Sequence, residues 1–152
     1  MAGAYARVHV SKDATLILTG GLYQMRSLDV DQAATVIFRA ATELRIEGEL
    51  DTDNKAKMIL DPNAWMLKAS DVVIYVEGDD SACGHDGWDW ESGDWGSPAI
   101  AHIGENNVIQ ANIFAPQGTV RIKSKTQATG AFIGEHVRIG QNVTLKLDSA
   151  FK

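Results

Sequence analysis

The sequence predicts an all-β fold, a single-stranded parallel β-helix wound from short coils, and three observations carry that expectation. Ile133, Ile139 and Leu145 recur every six residues, and Gly134 and Gly140 directly follow the first two. Apolar triplets with strand-type alternation recur along the chain, several of them 20 residues apart. Helical periodicity is poor, and the best helical stretch, Asn63 to Ala69, is too short to stand alone. In a solenoid each short strand sends an apolar side chain inward and a small residue follows where the chain turns, so an apolar-glycine step at short intervals is its signature.

The elements follow in order. Val8-His-Val10, Leu16-Ile-Leu18, Leu28-Asp-Val30, Val36-Ile-Phe38, Leu44-Arg-Ile46 and Val72-Val-Ile-Tyr-Val76 each read as a strand. Val8 to Leu28 and Leu16 to Val36 are both 20 residues, and Leu28 to Leu44 is 16, as expected of two strand series advancing coil by coil. Gly20-Gly21 and Gly48 lie just beyond strands, at expected corners. Residues 49–70 are less regular: Asp61-Pro-Asn is a turn signal, and Trp65 is expected to pack that stretch against the core. Segments starting at Ile103, Ile122 and Ile139, 19 and 17 residues apart, align as three coils, with Phe114, Phe132 and Phe151 as an aromatic ladder. The expectation is one domain over residues 1–152, about seven coils of 16–20 residues, with one long inserted loop at 78–97.

Composition bounds the function. At 152 residues with 45% hydrophobic content the chain can bury a core, and no apolar run approaches the ~18 residues of a membrane span. The N-terminus shows no charged-then-apolar signal pattern. One cysteine, Cys83, excludes an internal disulfide and the usual cysteine zinc sites. The net charge of −6 sits entirely in one stretch: Asp79, Asp80, Asp86, Asp89, Glu91 and Asp94 fall between Asp79 and Ser97 with no lysine or arginine among them. Acids and bases balance elsewhere, so nothing in the composition offers the basic face that nucleic acid requires.

That acidic stretch also holds three of the four tryptophans. Trp88 and Trp90 alternate with Asp89 and Glu91, so in an extended segment both indoles share a face. Indoles beside carboxylates suit a sugar, whose apolar face stacks on the ring while its hydroxyls donate to the acids. Trp88, Trp90, Trp95, Asp86, Asp89 and Asp94 are therefore the candidate carbohydrate-binding residues, and the competing expectation is that the tryptophans fold back as a lid on the solenoid. Asp79, Asp80, Asp86 and Asp89 are weak calcium candidates, because their spacing matches neither an EF-hand nor a glycine-aspartate calcium repeat. No other cofactor is expected, and His85, Cys83 and Asp86 make a poor transition-metal set.

Asn112-Ile-Phe-Ala-Pro-Gln-Gly-Thr119, Thr129-Gly-Ala-Phe-Ile-Gly134, Val137-Arg-Ile-Gly140 and Asp148-Ser-Ala-Phe151 resemble the β-solenoid modules at the ends of large secreted or surface-attached bacterial proteins. Leu18-Thr-Gly-Gly-Leu-Tyr23 fits the earlier coils of such modules. The resemblance implies a right-handed, extracellular or cell-surface β-helix with a structural or adhesive role and no catalytic residues to transfer. The short apolar-glycine coils are more loosely similar to bactofilins, polymer-forming bacterial β-helices. The six-residue rhythm by itself also suits left-handed hexapeptide helices, some of which are enzymes. His9, His85, His102 and His136 show no three-histidine spacing, His9 and His136 alternate outward, and no nucleophile motif is present, so an enzyme is not expected.

The expected function is thus a non-catalytic structural or adhesive solenoid that associates end to end with itself or with adjacent domains. Val8, Val10, Leu145, Leu147 and Phe151 are the expected assembly residues, since a strand begins almost at Met1 and the sequence stops at Lys152 without a capping helix. The alternative is a polysaccharide-binding module.

Overall fold

The computed structural model describes residues 3–78 and 100–151. Among the described residues, fourteen strands and one short 3-10 turn, Ala69–Asp71, wind into about six coils. The coils comprise β1 (Gly3–Val10) and β2 (Thr15–Leu18); β3 (Gly21–Val30) and β4 (Thr35–Phe38); β5 (Thr42–Ile46), β6 (Leu50–Thr52) and β7 (Lys57–Leu60); β8 (Val72–Val76), β9 (Ala101–Ile103) and β10 (Val108–Gln110); β11 (Asn112–Ile122) and β12 (Gln127–Gly130); and β13 (Phe132–Ile139) and β14 (Thr144–Leu147). Every strand pairing among the described residues is parallel and joins one coil to the next, which makes the fold a β-solenoid.

One sheet carries β2, β4, β7, β10, β12 and β14, stacked coil on coil. The other is spanned by the long strands β1, β3, β11 and β13, while coils 3 and 4 cross it in two pieces, β5 with β6 and β8 with β9. The register agrees with the expected spacing where no residues are inserted: Val8 pairs with Leu28, Leu16 with Val36, and Ile122 with both Ile103 and Ile139. Leu44 differs. It pairs with Tyr23, and the partner of Leu28 is Leu50, because coil 3 turns a corner between β5 and β6 that β3 passes without a break in the strand.

The coils number about six, not seven, because residues 61–71 leave the solenoid as a lateral excursion and add no layer. At ~4.8 Å per coil the stack is ~30 Å long. Each coil makes the same sharp turn before its strand in the smaller sheet, with one residue in the left-handed region: Asp13, Ala33, Lys55, Asn106, Lys125 and Asn142, all at φ of 54° to 61°. The residues that follow face inward, and Ala34, Ala56, Asn107 and Thr126 are buried.

Inward columns of Leu, Ile, Val and Met fill the interior. A polar thread crosses it: Asn107 Oδ1 accepts from Ala56 N at 3.0 Å, Asn107 Nδ2 donates to Thr52 Oγ1, and Thr126 Oγ1 donates to Gly104 O at 2.9 Å. Buried asparagine and threonine are tolerable here because, among the described residues, every buried side-chain polar atom has a partner. Asn112 ties the most distant pieces together. Its Nδ2 donates to Ala69 O at 2.8 Å and Asp148 O at 3.1 Å, while Oδ1 accepts from Ala131 N at 3.1 Å and Ala150 N at 3.0 Å. One buried amide thereby joins the excursion, coils 5 and 6, and the C-terminal segment.

The excursion corrects the expectation for Trp65. Trp65 is 85% exposed and Met66 71%, so neither is a core residue, whereas Leu67 packs on the interior and Ala69 is buried. The stretch 63–69 forms turns rather than a helix, held by Asn63 N donating to Asp61 Oδ1 and Leu67 N donating to Ala64 O. The aromatic ladder also differs. Phe114 pairs with Ile133, and Phe132 lies half-buried against the interior beside Ile113. The stacked column is instead Tyr75, Phe114 and Phe151, with ring centroids 5.9 Å and 5.6 Å apart, and the Arg45 guanidinium lies 5.5 Å from the Tyr75 ring centre. Strand alternation places Tyr75 and Phe114 on the outer side of the sheet, so Phe151 covers a flank.

Candidate interaction surfaces

The inserted segment leaves and re-enters within one coil. Tyr75 pairs with Phe114 and Ala101 with Val120, so β11 runs on through Ala115 to Thr119 opposite the place where coil 4 departs. Both stems are pinned to coil 3, by Glu77 N donating to Ile46 O at 2.8 Å and by Leu50 N donating to Ile100 O at 2.9 Å. Gly78 has no room for a Cβ, which would strike the Gly48 carbonyl oxygen. The candidate sugar-binding residues Trp88, Trp90, Trp95, Asp86, Asp89 and Asp94, and the calcium candidates Asp79 and Asp80, lie outside the described residues, as do Cys83 and His85.

The end coils show what stacking does to an inward column. Ile103 and Ile122 are 0% and 1% exposed, yet Ile139, next in the same column, is 49% exposed. Leu145 and Leu147 are likewise 46% and 78% exposed. At the opposite end Tyr5 stacks on Tyr23 at 6.5 Å and is 46% exposed, and an open hollow of about 190 Å³ lies between Tyr5, Val8, Leu16 and Met25. Of the expected assembly residues, Leu145 and Leu147 sit at an uncovered edge, Val8 is half-buried in the first coil, and Val10 is buried beneath coil 2. Phe151 is on the flank against Phe114.

The three described histidines are outward-facing. His9 Nε2 lies 3.2 Å from Asp31, His102 Nδ1 lies 2.8 Å from Asp51, and His136 is exposed. His136 pairs with Thr119 whereas His102 pairs with Arg121, so the two occupy different columns. Among the described residues no three histidine, cysteine or acidic side chains are grouped to hold a metal ion. No helix there is long and apolar enough to cross a membrane. Asp29 has its pKa raised, first by burial and then by the neighbouring charge of Asp51. A shallow groove of about 400 Å³ is lined by Glu105, Arg121, Lys123 and Arg138, with Ile122 and Ile139 among its other walls. Sequence reading missed these outward rows, because the register that stacks Asp29 on Asp51 crosses the irregular coil 3.

Fold and surface together define a parallel β-solenoid of stacked short coils. Residues 3–152 match the model of a family described as a domain of unknown function, DUF7305, and the chain belongs to that family. No curated protein matches the sequence.

Proposed function

We propose that the chain is a non-catalytic structural module, extracellular or at the cell surface, whose end coils stack on a further coil supplied by a second copy or an adjacent domain. The observation that supports it is the inward column at the last coil: side chains of the kind that are fully buried one coil earlier stand half uncovered there. Those edges pair an unsatisfied strand with an apolar layer, the combination that another parallel strand covers best. The finer likenesses, to surface modules and to bactofilins, rest on sequence motifs and agree with this reading. Light scattering after size exclusion tests it. The chain should form species that grow with concentration, and Leu145→Asp with Leu147→Asp should stop the growth while the fold persists. A wild-type chain that never grows beyond a pair at high concentration overturns it.

A second reading, recognition of a polysaccharide through Trp88, Trp90 and Trp95, draws on the composition of 78–97 and on the firm anchoring of its stems. Trp88→Ala with Trp90→Ala should abolish retention on polysaccharide columns, and wild-type protein unretained by a broad glycan set argues against it.

A further inference from the structure

The first and last described coils match position for position. β1 and β13 are eight residues each, and β2 and β14 are four each. Phe132, Ile139, Asn142, Thr144 and Leu147 fall at the same intervals as Gly3, Val10, Asp13, Thr15 and Leu18, with Asp13 and Asn142 both in the left-handed turn. The coils between are less uniform: coils 3 and 4 cross the larger sheet in two strands each, and β11 shifts register between Ala115 and Thr119. A first coil laid on a last coil needs no bulge and no extra corner.

The inward columns show which side chains such a contact brings together. One column runs from Val8 to Val137, its neighbour from Val10 to Ile139, and one in the smaller sheet from Leu16 to Leu145. Each begins and ends on aliphatic side chains, so running it on from one copy into the next keeps the interior filled. The column from Gly3 ends on Phe132. Tyr5 leans toward Gly3 and stacks on Tyr23 at 6.5 Å, so Phe132 of another copy lands on the Tyr5 ring. The hollow between Tyr5, Val8, Leu16 and Met25 then faces the half-exposed Val137 and Leu145. Two last coils set face to face would instead pair strands antiparallel, against the parallel pairing of every described strand.

The backbone bonds between coils carry a direction that points to the same partner. At the turns Asp13 N donates to Gln32 O, Ala33 N to Asn54 O, Lys55 N to Glu105 O, Asn106 N to Ser124 O and Lys125 N to Gln141 O, at 2.9 to 3.3 Å. Two residues earlier the direction reverses, with Asp31 N donating to Val10 O and Gly140 N to Ile122 O. Carried one coil further, Asn142 N donates to Lys12 O of the next copy, and Ser11 N of that copy donates to Ile139 O.

We propose that the coil covering the last coil is the first coil of a second copy, added head to tail in unbroken register, with Val137 on Val8, Ile139 on Val10 and Leu145 on Leu16. This rests on the stacking reading above and adds the partner, the polarity and the register. The outward rows contribute no attraction, since Arg138 comes over His9, whose imidazole lies beside Asp31, and His136 comes over Arg7. Apolar columns and backbone bonds make the joint, and salt does not dissolve it.

The test is disulfide trapping in the full chain, with Cys83→Ser throughout so that only introduced thiols react. Thr15 and Thr144 are exposed and end one outward column. In the proposed register their Cα atoms stand ~4.8 Å apart, within disulfide reach. Mild oxidation of a mixture of T15C and T144C chains should give the mixed dimer about tenfold above either same-variant dimer, at about 20 mM and about 500 mM salt alike. T15C with K146C, set ~8 Å apart, should link poorly, and I17C with K146C is the second in-register pair. Circular dichroism establishes that each variant is folded. If the chain grows in light scattering but T144C or T15C links mainly to itself, or no disulfide forms, the partner or polarity proposed here is overturned while stacking stands. T15C linking to K146C as readily as to T144C overturns the register, and loss of the mixed dimer at high salt overturns the apolar joint. A chain that never grows overturns this proposal together with the stacking reading.

Discussion

Replacing Asn112 with alanine should be the most damaging single polar substitution in this solenoid. The side chain is fully buried and makes four hydrogen bonds of 2.8 to 3.1 Å to backbone groups of the excursion, coil 6 and the C-terminal segment. Each is worth about 1 kcal/mol net, and a buried group left without a partner costs about 1–3 kcal/mol. The C-terminal segment can swing into water once released, which satisfies Ala150 N and Asp148 O, but Ala69 O and Ala131 N have less recourse. The expected loss is about 3–5 kcal/mol, or roughly 6–20 °C in Tm for a domain of this size. Thermal unfolding followed by circular dichroism measures it. Amide exchange should speed up at Ala131 and Ala150 well before the early coils, since a stacked solenoid loses stability locally. Asn112→Asp is the discriminating companion: it keeps the acceptors for Ala131 and Ala150 but cannot donate to Ala69 and Asp148, and it buries a charge, so it should be no better than alanine. A loss below about 1 kcal/mol for Asn112→Ala would refute the assignment of this amide as the clasp.

Three further outcomes follow from local geometry. Ala33 sits at φ 59°, where Asn106 and Asn142 stand in later coils, so Ala33→Asn should raise stability by about 1 kcal/mol in denaturant unfolding. Asp29 is the titrating example: its pKa is raised in the fold, so the stability it contributes is present when it is protonated and lost as pH rises through the folded value. Asp29→Asn should therefore stabilise dilute protein near pH 7 and give no gain near pH 3, as read from denaturant midpoints; equal gains at both values contradict this. Trp65→Ser should change stability by less than about 0.5 kcal/mol, because the indole is 85% exposed.

The sequence made the fold legible where coils run without inserted residues. Val8 over Leu28, Leu16 over Val36 and Ile103 over Ile122 over Ile139 are pairings that equal spacing exposes. Coils 3 and 4 defeat that reading. Asp51 and His102 are neighbours in space and 51 residues apart in sequence, because the excursion at 61–71 and the segment after Gly78 both intervene. The repeated left-handed turn was hidden for a different reason: Ala33, Lys55 and Lys125 occupy a conformation whose usual markers are Gly, Asn and Asp. Trp65 misled because a large aromatic residue after a turn suggests burial, while the local turns of 61–71 hold it outward.

Electron microscopy of the concentrated chain tests the central claim, that uncovered coil edges stack, most directly. The account predicts rods several times the ~30 Å of one six-coil stack, shortened to single subunits by Leu145→Asp with Leu147→Asp. Particles that stay ~30 Å long at every concentration, in wild type as in the variant, would contradict it.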